Sequence, residues 1–133
     1  MNMKRFLIAM IGLFIFIFGY ETIIHGFLLT NIYSETPSIW RSYDQMVAYM
    51  PFNIGIMALI TIWIVFIFTR LFEEGGWKNG LKFGFYFGVL SGIQAAGAWY
   101  YLPISGLLAG YWFMAYVVES LLGGLIIGFI YRR

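Results

Sequence analysis

The chain has 133 residues, of which 62% are hydrophobic, 22% aromatic and only 11% charged. Since charged residues make up about a quarter of a typical soluble domain, this composition excludes a soluble globular protein and predicts that lipid surrounds the chain. The formal net charge of +2 is small and scattered, which excludes a nucleic-acid partner held by a basic surface. The sequence has no cysteine, which excludes disulfides, thiol nucleophiles and thiolate metal sites.

Four hydrophobic segments are long enough to cross a bilayer core, which takes about 20 residues of helix. They cover about residues 6–29, 51–69, 81–102 and 107–131. The first follows Lys4 and Arg5 as a secretory signal would, but its length and the lack of a small-residue cleavage site predict an uncleaved helix. We therefore predict an all-α polytopic membrane protein with a single domain, residues 1–133, formed by a bundle of four transmembrane helices.

The basic residues are strongly biased toward one side of the predicted bundle. Only Arg41 falls in an outer loop. The others fall at the chain ends and in the middle loop: Lys4, Arg5, Arg70, Lys78, Lys82, Arg132 and Arg133. Because cytoplasmic loops carry the excess of Lys and Arg, this bias predicts that both termini lie in the cytoplasm. Many Tyr and Trp residues, among them Tyr33, Trp40 and Trp112, fall at the predicted outer boundary, where such rings meet lipid headgroups.

The outer loop between the first two segments has helical periodicity. Trp40, Tyr43, Val47 and Met50 recur at helical spacing, with polar residues between them. This pattern predicts a short amphipathic helix that lies on the outer leaflet or caps the bundle, before the second span begins at Pro51. An ordered loop without a helix is the alternative.

Glycine recurs at regular spacing in three of the four segments. In the third segment it occupies every fourth position and therefore one helix face. Such a face lets two helix backbones approach closely in lipid, where small residues mark helix interfaces. The predicted packing glycines are Gly12, Gly19, Gly26, Gly80, Gly84, Gly88, Gly92, Gly124 and Gly128.

Polar residues within the predicted spans are candidates for a functional site, because ionisable groups inside a bilayer are costly and mark ion or substrate pathways. They are Glu21, His25, Asn53, Gln94 and Glu119. At about 1.5 Å of rise per residue, Glu21, Gln94 and Glu119 fall at a similar depth below the outer helix ends. His25 lies about one turn closer to the outer surface, and Asn53 is shallower still.

Several interpretations of these polar residues stay open. Glu21 and His25 are four residues apart on one helix face, so they could bind a proton, with Glu119 as a second acceptor. The same three side chains could bind a metal ion, and His25 alone could be an axial ligand of a haem or pigment. They could also simply hydrogen-bond between helices. The sequence indicates no particular cofactor, and we assign no metal site from it.

The glycine and polar faces oppose one another on two of the segments. At about 100° per residue, Gln94 is rotated by about 200° from Gly92, and Glu21 by the same angle from Gly19. Neither face suits lipid, and an isolated bundle of four helices is expected to bury one face of each helix. We therefore expect the protein to pack against a second copy or another membrane subunit.

Further short motifs lie in the carboxy-terminal half. They are Gly80-Leu-Lys-Phe-Gly84 at the start of the third span, Tyr101-x-Pro103-Ile in the outer turn, Trp112-Phe, and Glu119 before Gly123-Gly124 and Tyr131-Arg132. With these motifs the chain resembles small four-span bacterial membrane proteins of uncharacterised function. The resemblance implies a prokaryotic inner-membrane protein and brings no catalytic residues with it.

No enzyme motif occurs in the sequence, neither a His-Glu-x-x-His metal motif, nor a Gly-x-Ser-x-Gly nucleophile, nor a phosphate-binding loop. We therefore predict a non-enzymatic integral membrane protein, an oligomeric or accessory subunit that packs through its glycine-striped helices. The alternative is a small proton- or cation-coupled transporter or channel that uses Glu21, His25 and Glu119. A further alternative is a metal-, haem- or pigment-binding subunit that uses His25. The sequence indicates no particular substrate.

Overall fold

The computed structural model describes residues 2–132, which form helices without any β-strand. This confirms the predicted all-α class. The α-helices are α1 (Met3–Ile23), α2 (Thr30–Tyr33), α3 (Tyr43–Leu71), α4 (Trp77–Ala96) and α5 (Gly106–Ile130). A π-helical turn (Ile24–Leu28) continues α1, and 3-10 turns occupy Pro37–Ile39 and Gly97–Tyr100.

Three helical stretches within residues 2–132 are long and apolar enough to cross a membrane, which supports the prediction of a membrane protein. They are Met3–Leu28, Tyr43–Leu71 and Gly106–Ile130. α4 is not among them, because its glycines and its lysines Lys78 and Lys82 dilute its apolar residues. Its 20 residues nevertheless extend for about 30 Å.

α3 runs unbroken through Pro51. The prediction of a separate outer-loop helix is therefore wrong, since residues 43–50 are the first turns of this long helix and Trp40 lies outside it. A capping box starts the helix: the Gln45 N–H donates to Ser42 Oγ at 3.3 Å, and the Ser42 N–H donates to Gln45 Oε1 at 3.1 Å. Pro51 removes one backbone hydrogen bond without ending a helix that has already begun upstream.

Both ends of the described chain lie beside the turn between α3 and α4. The Asn2 N–H donates to the Tyr131 hydroxyl at 3.4 Å, and the Gly76 N–H donates to the Tyr131 carbonyl at 3.2 Å. Gly75 and Gly76 have φ angles of 64° and 90°, which glycine adopts readily, and a Cβ atom on Gly75 would overlap the Tyr131 carbonyl. We call this end of the bundle the closed end, and the opposite end, which holds α2, the open end.

The main hydrophobic core lies toward the closed end, where α1, α3, α4 and α5 meet. It comprises Phe6, Ala9, Leu13, Val65, Phe68, Phe83, Ile127 and Tyr131. A smaller cluster at the open end comprises Leu29, Ile104, Leu108 and Ala109. α3 contributes to the main core only from its second half, since every residue from 43 to 56 is exposed. The first half of α3 therefore stands apart from the packed part of the bundle.

α4 and α5 pack with their backbones in direct contact. The α4 glycines buried at this interface are Gly80, Gly84, Gly88 and Gly92. A Cβ atom on Gly80 would overlap the carbonyl oxygen of Gly124, and one on Gly84 would overlap that of Ser120. On α5, a Cβ atom on Gly128 would lie 2.6 Å from the carbonyl oxygen of Gly76, the residue directly before α4. The glycine face of α4 is thus filled by α5 of the same chain.

The glycine row of α1 has no comparable partner within residues 2–132. A Cβ atom on Gly12 would lie 3.2 Å from Ile130 of α5, but one on Gly19 would meet nothing within 4 Å. A Cβ atom on Gly26 would approach only Thr22 of its own helical stretch, at 3.9 Å. This row therefore does not form a continuous helix interface inside the molecule.

Candidate functional site

A cavity of about 520 Å³ lies between α1, α3, α4 and α5. Each helix contributes one of the polar residues singled out in the sequence, namely Glu21, Asn53, Gln94 and Glu119. The depth estimated from helix rise predicted a common level for three of them, and the structure places all four around one space. His25 lies outside the cavity wall, toward α2 at the open end.

The rest of the cavity wall is largely apolar. Ile56, Met57 and Ile60 line it from α3, and Phe83 and Phe87 line it from α4. Among residues 2–132, neither a lysine nor an arginine contributes to the wall. Two carboxyl groups therefore face an apolar space that holds no positive side chain to balance them.

Glu119 is the more enclosed of the two carboxyl groups. Its side chain is buried, with 8% of the residue exposed, and no group within residues 2–132 donates a hydrogen bond to its carboxylate. An isolated carboxylate in an apolar environment is costly unless it is protonated or paired. Protonation of Glu119, or pairing with a cation, would remove this cost.

The two faces of α4 have different surroundings. The glycine face packs on α5, whereas Gln94, together with Ser91, lines the cavity. The residues of α4 that are buried are Gly80, Phe83, Gly84, Gly88 and Gly92, whereas Gln94 is exposed. The expectation that a single bundle buries only one face of each helix is therefore met for α4.

A chain of side chains leads from the open end to Glu21. The Trp112 Nε1–H donates to the Tyr33 hydroxyl at 2.8 Å, the same hydroxyl contacts His25 Nδ1, and His25 Nε2 lies 3.3 Å from Glu21 Oε2. Indole nitrogen is only a donor, so the Tyr33 proton is free to point at His25 Nδ1. Neutral His25 is thereby assigned the Nε2–H tautomer, which donates to Glu21. Glu21 has a donor, and Glu119 has none.

Tyr33 is itself held firmly in place. The Trp40 Nε1–H donates to the Tyr33 carbonyl at 3.1 Å, and the two rings pack edge to face with centroids 5.1 Å apart. Burial raises the pKa of the Tyr33 phenol above its usual value of 10.0, against a smaller lowering by the Trp112 hydrogen bond. The phenol therefore remains a protonated donor at neutral pH.

His25 is carried by the π-helical turn rather than by regular α-helix. The wider turn ends at Leu28, and the Leu29 N–H donates to the Ile24 carbonyl at 2.9 Å. Such turns are rare and are frequent at functional sites. Here the turn precedes α2, which brings Tyr33 back alongside His25.

Sequence reasoning missed the partners of His25. It placed Tyr33, Trp40 and Trp112 in a belt at the membrane boundary, and no spacing in the sequence links Tyr33 to Trp112. It also missed Tyr20, whose hydroxyl donates to the Ala115 carbonyl at 2.7 Å and joins α1 to α5. The one available signal was the separation of eight residues between His25 and Tyr33, which becomes a contact only because the chain turns at Leu29.

The structure does not bring Glu21, His25 and Glu119 together as three metal ligands. Within residues 2–132, no group of three or more His, Asp or Glu side chains is arranged to hold a metal ion. Both His25 ring nitrogens face protein partners, Tyr33 and Glu21. The two carboxyl groups and His25 form two separate units, a hydrogen-bonded pair and a lone acid.

No family model, no curated protein and no solved structure matches this chain.

Proposed function

We propose that the chain is an inner-membrane protein with four spanning helices and both termini in the cytoplasm. The contact between Asn2 and Tyr131 supports an even number of crossings, because an odd number would separate the two ends. α4 supplies the fourth crossing with about 30 Å of helix. The positive-inside rule then places the closed end in the cytoplasm. The resemblance to small four-span bacterial membrane proteins agrees with this proposal and stays a prediction.

Within that arrangement, the protein acts as a small, non-enzymatic, cation-coupled transporter that exchanges a cation for a proton. One observation carries this proposal: Glu21 and Glu119, from two different helices, line a single cavity without a basic side chain. Buried carboxyl groups in such sites bind either a proton or a cation, and this competition is the basis of exchange. The substrate-binding group is Glu119, and His25 orients Glu21.

The experiment is proton movement in liposomes that contain the full chain and an internal pH-sensitive dye. Addition of K⁺, Na⁺ or ethidium outside is expected to drive proton release from the liposomes for at least one of these cations. The double variant Glu21→Gln and Glu119→Gln should abolish the response. The matched control Glu73→Gln and Glu74→Gln, which removes two exposed carboxyl groups from the turn after α3, should retain it. A response no larger than that of empty liposomes for every cation contradicts the proposal.

A second candidate function is an oligomeric or accessory subunit, and one observation favours it. A helix packed on Gly19 could approach the α1 backbone closely, since nothing within 4 Å occupies that position. The α4 glycines no longer support this candidate, because α5 fills their face. Native mass spectrometry tests it: a dimer that Gly19→Leu converts to a monomer supports the candidate, and a monomer in the wild type contradicts it.

A further inference from the structure

We infer, resting on the proposed function, that the substrate of the cavity is a hydrophobic organic cation: one positive group on an apolar body. Size is the first argument. The cavity of about 520 Å³ falls in the range of roughly 300–1,000 Å³ that encloses drug-sized molecules. A bare inorganic ion would occupy a small part of it and would leave the apolar wall without a partner.

The wall chemistry is the second argument. An inorganic ion needs several oxygen or nitrogen ligands to replace its water, and residues 2–132 bring no three His, Asp or Glu side chains together as such ligands. By contrast, Ile56, Met57 and Ile60 provide aliphatic surface, and methionine adapts to ligands of irregular shape. Phe87 and Tyr116 add aromatic rings, whose faces attract organic cations.

The charge of the substrate follows from the different surroundings of the two carboxyl groups. Glu21 already receives the His25 Nε2–H, whereas Glu119 has no donor. Tyr20 and Glu21 on α1 and Tyr116 on α5 are the titratable groups near Glu119. The polar side chains that α3 and α4 contribute to the cavity, such as Asn53 and Gln94, are all uncharged. Glu119 is the one of the two carboxyl groups that has no hydrogen-bond donor, so the site takes a monocation at Glu119 and releases one proton for each one bound.

The test is equilibrium binding of two monocations to the purified full chain. Tetraphenylphosphonium and tetramethylammonium carry the same charge and differ in their apolar body. Tetraphenylphosphonium is expected to bind at least about tenfold more tightly, with weaker binding at acidic than at alkaline pH and with proton release into unbuffered solution. Glu119→Gln should weaken this binding by about tenfold and remove its pH dependence, whereas Glu74→Gln should change neither. Equal binding of the two cations overturns the inference, as does unchanged binding by Glu119→Gln.

A second variant tests the site independently, in case Glu119→Gln fails to fold. Ile56→Trp keeps both carboxyl groups and adds volume at a cavity-lining position that is 41% exposed. It should reduce tetraphenylphosphonium binding and leave any K⁺- or Na⁺-driven proton movement in liposomes intact. Unreduced binding in this variant contradicts the assignment of the cavity as the site.

The two proposals fail in different ways. Proton movement driven by K⁺ or Na⁺, with no preference for tetraphenylphosphonium in binding, would support the proposed transport and contradict the inference that the substrate is a hydrophobic organic cation. Specific binding of tetraphenylphosphonium, with no proton movement for any cation, would support the cavity as a binding site for organic cations and contradict the proposed transport.

Discussion

Tyr33 connects the open end of the molecule to the cavity through a single hydroxyl group. That hydroxyl accepts from Trp112 and contacts His25. Tyr33→Phe would leave both of these partners without their hydrogen bond, and a buried polar group without a partner costs about 1–3 kcal/mol. We expect a lower melting temperature in detergent for Tyr33→Phe. Tyr100→Phe, at a side chain that is 94% exposed, should melt like the wild type. A wild-type melting temperature for Tyr33→Phe would contradict the hydrogen bonds of the Tyr33 hydroxyl with Trp112 and His25.

The same hydroxyl predicts a dependence of stability on alkaline pH. Burial raises the pKa of Tyr33 in the folded state above its unfolded value of 10.0. The folded state then binds the phenolic proton more tightly, so this contribution is complete below pH 10 and is lost as the pH rises through the folded pKa. We expect the free energy of unfolding to fall less steeply above pH 10 in Tyr33→Phe than in the wild type. Parallel pH profiles for the two proteins would contradict the prediction.

The glycines of α4 and α1 lead to opposite predictions at the scale of the helix. In an open position, Gly→Ala stabilises a helix by up to about 1 kcal/mol. Gly19→Ala should therefore raise the melting temperature slightly, since nothing within 4 Å would meet the new methyl group. Gly84→Ala should lower it by an amount equivalent to about 1–3 kcal/mol, because the methyl group would overlap the Ser120 carbonyl. A stabilised Gly84→Ala would show that α4 and α5 can separate without penalty.

The helices themselves could be predicted from the sequence, but not all of their boundaries. Apolar runs fix where a helix is buried in lipid, so the long helices lie where the runs predict them. Proline at position 51 indicated a helix start because prolines favour the first turn. The capping box of Ser42 and Gln45 begins the helix two turns earlier, and a proline inside an established helix costs only local hydrogen bonding. The sequence pattern alone could not decide whether the helix starts at Pro51 or at the capping box.

Topology can be tested at the scale of the whole molecule because the chain has no cysteine. In cells, Tyr100→Cys at the open end is expected to react with a membrane-impermeant maleimide added outside. Glu74→Cys at the closed end should react only after the membrane is permeabilised. Equal reactivity of the two positions in intact cells would mean that α4 does not cross the membrane.

The candidate site was partly within reach of sequence reasoning. Helix rise alone brings Glu21, Gln94 and Glu119 to one depth, because depth depends only on position along a helix. Whether they face one another depends on how each helix is rotated, and that is set by packing. The glycine face of α4 packs on α5 and leaves Gln94 at the cavity, whereas Gly19 of α1 has no neighbour within 4 Å of its Cβ position. The contacts of Tyr33 with His25 and Trp112 depend on the turn after His25 and could not have been predicted from spacing.

Because α3 is packed at only one end, its unpacked first half can move as a rigid arm about its packed base. Its base, from Thr61 onward, is buried in the core, and its first half is exposed. From Thr61 back to Tyr43 the arm is about 27 Å long, so a rotation of about 10° at the base would move the tip by about 5 Å. Asn53, Ile56 and the rest of the α3 wall would travel with that arm. Since Asn53 lies about 12 Å and Ile56 about 7.5 Å from Thr61 along the helix, the same rotation would move this α3 wall by about 1–2 Å and change the width of the gap beside Glu119 by that amount.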